Sequence, residues 1–152
     1  MDDALDLLLG TYPSWSRFVV RLALGVVFVA HGGQKLFGWF GGQGLRATAQ
    51  TFQRYLGIPP AATTFAVLVE FLGGVAMIVG FLSRPAAVGL IVIMLVAIAK
   101  VHRPHGFFLA SQPGQSNGWE FNFVLIAMAL SVLIGGAGAL SIDALLRPYG
   151  VE

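Results

Sequence analysis

Apolar residues recur along this chain in four long runs, each broken by few polar positions. The run from Leu22 to Gly42 reads LALGVVFVAHGGQKLFGWFGG. A helix over 18–40 is about 34 Å long at about 1.5 Å per residue, enough to cross a hydrocarbon layer of roughly 30 Å. The same reasoning predicts spans over about 61–82, 85–101 and 119–134, the last ending where Gly135-Gly136-Ala137-Gly138 breaks the pattern. Between the first two spans the periodicity changes character. Leu45, Ala49, Phe52 and Leu56 recur at helical spacing among Arg46, Gln50, Gln53 and Arg54, which predicts an amphipathic interfacial helix over about 43–56. Gly57 is placed to end that helix, and Pro59-Pro60 keeps it from running into the next span.

The ends carry their own signals. Leu5, Leu8 and Leu9 alternate with Asp2, Asp3 and Asp6, the pattern of a short surface helix or of a frayed terminus. Ser14 or Ser16 can cap the first span, from which Arg17 and Arg21 are expected to snorkel to the interface. The acidic start is the reverse of a signal-peptide n-region, so these residues are expected to be retained. Near the other end, Ser141 can cap a short helix in LSIDALLRPYG.

Composition agrees with the pattern. Of 152 residues, 57% are hydrophobic and 11% charged, far more apolar than a soluble domain. The expectation is therefore an all-α, single-domain integral membrane four-helix bundle. A net charge of +2 with no basic stripe argues against nucleic-acid binding. Zero cysteines exclude thiol catalysis, disulfide exchange and thiolate metal sites within this chain.

The polar residues inside the apolar runs are the candidate chemistry. His31 and Lys35 are four apart and share a helix face, which should look inward, because a cation aimed at lipid is costly. Glu70 sits near the middle of the second span, on a face with Ala66, Gly73, Gly74 and Met77, where a neighbouring helix can come close. A mid-membrane carboxylate costs about 2.5–3.5 kcal/mol on insertion scales, so it must be paired or protonated. Lys35 or Lys100 is the expected partner, and a structural ion pair is as consistent with the pattern as a ligand or proton-handling site. Lys100 follows the Gly89, Ile93, Val96 face, whereas His102 falls about 200° further round, so either one turns outward or the helix unwinds there. Glu120 opens the last span on a face with Ala127 and Ser131, while Asn122 points elsewhere. Four spans put both termini on one side with Arg17, Arg21, Arg84 and Arg147, and gather His31, Lys35, Lys100, His102 and Glu120 toward the other, with Glu70 deeper. The expectation is one interior chamber built from His31, Lys35, Glu70, Lys100, His102 and Glu120, with cytoplasmic termini.

Several chemistries are weighed against that cluster. His31 and His102 lack any further haem-site pattern, which favours hydrogen bonding over haem ligation. No HxxxH or ExxH spacing occurs, so no metal is expected. Phe107, Phe108, Trp119, Trp39 and Phe40 read as an interfacial aromatic belt or as the wall for a flat apolar head group. Residues 103–118 form a long loop rich in Gly, Pro, Ser and Gln.

Taken together, His31-Gly32 with Lys35-Leu36-Phe37-Gly38, Val69-Glu70-Phe71-Leu72-Gly73-Gly74, Arg84, His102 with Gly106-Phe107-Phe108, Gly118-Trp119-Glu120 and GAGALSID at 136–143 resemble the DoxX family of small four-helix membrane proteins. The resemblance implies a bacterial inner-membrane protein linked to redox metabolism. It implies likeness to the membrane subunit of thiosulfate:quinone oxidoreductase, or association with a complex holding a superoxide dismutase and a sulfurtransferase. The expected function is binding of a quinone-like or other small lipophilic ligand at the polar cluster in support of a soluble redox partner, with homo-oligomers allowed. The rivals are a scaffold whose cluster is only a polar lock, and a small-solute transporter using Glu70.

Overall fold

The computed structural model describes residues 2–146. Seven α-helices follow one another: α1 (Asp2–Leu9), α2 (Trp15–Phe37), α3 (Gly44–Leu56), α4 (Pro60–Val79), α5 (Ser83–Ala97), α6 (Glu120–Gly135) and α7 (Ile142–Leu146). No strand occurs among the described residues. Three helical stretches, Trp15–Phe37, Pro60–Val79 and Ser83–His105, are long and apolar enough to cross a membrane. At 16 residues α6 is shorter, about 24 Å at the helical rise of about 1.5 Å per residue.

Local chemistry sets most of the ends. The Ser14 hydroxyl accepts from the Arg17 amide and caps α2, and the Ser141 hydroxyl accepts from the Ala144 amide in α7. Gly57 ends α3 in the left-handed region, φ 69°. The first span ends earlier than its hydropathy indicates. Gly38, at φ 79°, takes the left-handed cap and returns its amide to the Gly33 carbonyl, so the chain leaves α2 before a short 3-10 turn at Trp39–Gly41.

The long helices meet in a ring of contacts: α2 with α4, α4 with α5, α5 with α6 and α6 with α2. Their shared core holds Leu24, Phe28, Met77, Ala87, Leu90, Met94, Leu125, Ala129 and Val132. The α2–α4 seam is the tightest. A Cβ on Gly74 would lie 2.7 Å from the Val29 amide nitrogen, and one on Gly32 would lie 2.8 Å from the Phe71 backbone. Backbone meets backbone there because both helices offer hydrogen atoms where others carry side chains. α3 folds back against α2 and α4.

Two sequence expectations are corrected here. Arg21 does not snorkel: it is 0% exposed. Its Nε donates to the Ala137 carbonyl, and its two terminal nitrogens donate to the carbonyls of Met77, Ile78, Ala139 and Leu140. One planar guanidinium thus ties α2 to the end of α4 and to the segment after α6. Asp143 completes this end by accepting from the Leu82 and Ser83 amides at 2.8 and 3.0 Å, a cap for α5 supplied from α7. Arg17 reaches the Gly135 carbonyl and Arg84 the Gly10 carbonyl. Arg147 lies outside the described residues. The second correction concerns α6, whose buried face carries Asn122, Leu125, Ala129 and Val132, while Ala127 and Ser131 are exposed. Asn122 turns inward because its amide finds the Met94 sulfur at 3.3 Å.

Candidate functional site

Glu70 sits near the middle of α4 and is 3% exposed. Lys35 projects from the last turn of α2, where a cation also complements the helix dipole. Its Nζ donates to both Glu70 oxygens, at 2.7 and 2.6 Å. The Lys35 side chain keeps 31% exposure against 4% for the Glu70 side chain, so the pair is buried at its acidic end and open at its basic end. α3 packs over this end of α2 and α4, with Thr48 and Ala49 buried beneath it.

The pair borders a cavity of about 480 Å³ between α4 and α5. Val67, Val69, Ile93 and Met94 give it apolar walls, and Phe52 and Leu56 of α3 cover one end. Lys35, Glu70, Thr63 and Lys100 are the polar side chains on its lining. Phe65, Val92 and Val96 also line it yet remain exposed, which makes the mouth lateral, between helix faces that are themselves apolar. A volume of this size, apolar with few polar groups, is the usual form of a small-molecule site (roughly 300–1,000 Å³).

At the cavity's edge, α5 widens into a π turn at Ile98–His102 and then a 3-10 turn at Arg103–His105. The wider turn resolves the conflict between Lys100 and His102. Lys100 and Val101 stay on the cavity lining, and His102 swings to the loop, its Nδ1 2.9 Å from the Asn117 carbonyl oxygen. Lys100 is exposed, and its side chain makes no hydrogen bond or ion pair with any described residue.

The six polar residues expected to share one chamber therefore divide. Lys35, Glu70 and Lys100 line the cavity, and His31, His102 and Glu120 lie outside that lining. His31 is exposed, its ring centroid 6.5 Å from that of Phe121. Glu120, at the first residue of α6, accepts from the Leu109 amide at 3.0 Å and pins the preceding loop. The physical reason is local: each of these three finds a partner on its own edge of the molecule before it can reach the α4–α5 gap. The five aromatics expected to wall a flat head group also lie elsewhere. Phe107 and Trp119 stack edge to face at 4.6 Å with Phe123 beside them, Trp39 packs on Phe37 and Phe71, and Phe40 and Phe108 are exposed. Phe52 and Phe65, which sequence reasoning missed, are the aromatic side chains of the cavity. Phe52 had a signal, since it belongs to the apolar stripe of α3.

With this geometry in view, comparison with known proteins is informative. The DoxX family profile matches residues 16–103. The chain belongs to the DoxX family. That match takes in Lys35, Glu70 and Lys100 together with every helix that walls the cavity. The chain is also similar to the inner membrane protein YqjF of Escherichia coli (strain K12), with 27% identity over 129 residues, 85% of this chain and 90% of the relative. No solved structure matches it. With three helices fit to cross a bilayer, this DoxX-family chain is an integral inner-membrane protein.

Proposed function

We propose that this protein is a single-domain membrane bundle of four crossing helices, α2, α4, α5 and α6, with α3 at the interface, and that it holds a small quinone-like lipophilic ligand between α4 and α5. The observation that carries the reading is the cavity itself: apolar walls, a lateral mouth, and a charged pair at one edge. A ligand dissolved in the acyl region reaches such a mouth without crossing water. Once seated, its ring and chain replace lipid contacts with Val67, Val69, Ile93 and Met94, and its polar atoms meet ammonium donors from Lys35 and Lys100. A quinone would supply the electron-accepting ring. The protein's side chains bind, orient and donate hydrogen bonds, and Glu70 holds Lys35 in place through both carboxylate oxygens. With no cysteine in the sequence, any sulfur chemistry and the electron donor belong to a soluble redox partner.

A second reading draws on the same ion pair. Both Glu70 oxygens are engaged by Lys35, as expected of a polar lock between α2 and α4 in a scaffold subunit. Extraction separates the two. Protein purified in a mild detergent and extracted with organic solvent should yield a quinone-class lipid near stoichiometry, and Ala66→Trp, which fills the cavity, should abolish it. Extracts lacking such a compound, with no labelling of α4 or α5 by a photoactivatable quinone, would leave the scaffold reading standing.

A further inference from the structure

The cavity's charges do not balance. Two ammonium groups, Lys35 and Lys100, and one carboxylate, Glu70, line it. Glu70 is consumed by Lys35, with both oxygens within 2.7 Å of Nζ. Lys100 is left as a surplus cation on a lining that is otherwise almost wholly apolar, and no described side chain answers it. Its position comes from a departure in the backbone, because the π turn at Ile98–His102 holds Lys100 and Val101 on the cavity while sending His102 away. Single π turns of this kind are frequent at functional sites. A lysine whose only purpose was to anchor the helix end in the headgroup layer would need no cavity beside it.

From this we infer that the occupant is a single-chain amphiphile with an oxyanionic head, seated with the anion on Lys100 and the apolar body between α4 and α5. The head is a carboxylate or the ionised hydroxyl of a hydroxyquinone; both present the same oxyanion to an ammonium. Charge complementarity selects this class over an uncharged lipid, and the volume of about 480 Å³ suits one ring or chain better than a two-chain phospholipid. Lys100 discriminates by charge, and the walls of α4 and α5 supply the affinity. The inference rests on the reading that the cavity is a ligand site.

The test uses the full chain in an uncharged maltoside detergent and two matched pairs of probes: a pyrene-labelled fatty acid with its methyl ester, and lawsone, ionised at neutral pH, with uncharged menadione. Binding is read by tryptophan quenching or pyrene emission. Each anion should bind about 10-fold more tightly than its neutral counterpart, and the ratio should shrink toward 1 as salt rises to about 1 M, where the screening length falls to about 3 Å. Lys100→Gln should collapse the ratio at low salt and Lys100→Arg should keep it, while Ala66→Trp should abolish binding of all four probes. The Lys100 side chain is exposed and supports no described contact, so its variants are expected to fold. Preference in only one pair identifies the source of the oxyanion and supports the inference. Neutral probes that bind as tightly as the anions, or an anion preference unchanged in Lys100→Gln, overturn it while leaving the cavity as a ligand site. Failure of all four probes to bind overturns both.

Discussion

At the scale of single residues, Glu70 was legible because a carboxylate deep in an apolar run demands compensation, and of the two partners named for it, Lys35 and Lys100, Lys35 is the one found. For Lys100 the spacing left a choice open, either it or His102 turning outward or the helix unwinding, and the π turn at Ile98–His102 is the local change that keeps it on the cavity lining. Arg21 was not. Its partners are carbonyls of residues 77–78 and 137–140, and a carbonyl leaves no mark in a sequence; nothing separates this arginine from Arg17 until the chain is folded. The Lys35–Glu70 pair gives a measurable expectation. Glu70→Met strands a half-open ammonium, so its cost should fall between the ~1 kcal/mol of an exposed pair and the ~3–5 kcal/mol of a buried one. Lys35→Met with Glu70→Met should recover most of the loss, since two apolar side chains leave no charge behind. Thermal unfolding of the four proteins of this cycle in detergent reads the coupling directly, and additive losses would show that the two groups do not interact.

At the scale of elements, the caps at Ser14, Gly57 and Ser141 were readable because each is a short-range signal. The inward face of α6 was misread for a physical reason: a helix apolar on every side has no polar stripe to orient it. Only the inner groove formed by its neighbours decides that Asn122, and not the face of Ala127 and Ser131, turns in. Helical spacing did mark one side of the α2–α4 seam, setting Gly73 and Gly74 on the Glu70 face where a neighbouring helix can come close, and the structure brings the Val29 backbone against Gly74. Gly74 and its neighbour make the point testable. A methyl group on Gly74 would meet the Val29 amide at 2.7 Å, where neither backbone can give way, whereas one on Gly73 would meet only the Leu90 side chain at 3.1 Å. Gly74→Ala should therefore lose about 1–3 kcal/mol, the usual cost of overpacking, and Gly73→Ala distinctly less. Melting temperatures of the two variants compare them.

At the scale of the whole molecule, the structure is polar at its two ends in different ways. One end gathers Arg17, Arg21, Arg84 and Asp143 against backbone groups; the other holds the aromatic loop before α6 and the polar edge of the cavity. The sequence contains no cysteine, so a single introduced thiol reports its own side. On the proposed four crossings with cytoplasmic termini, Ser111→Cys in the loop should react with a membrane-impermeant maleimide in cells whose outer membrane is opened, and Leu7→Cys in α1 only after the inner membrane is broken. Reaction of both on the same side would mean that α2, α4 and α5 do not all cross.

Arg21 sits in α2, but the carbonyls of residues 137, 139 and 140 that satisfy it are made at least 116 residues later. Until then that guanidinium has only part of its acceptor set. A chain cut short before Ala137 should therefore keep that guanidinium short of acceptors, and a pulse-chase in cells should find it shorter-lived than the full chain.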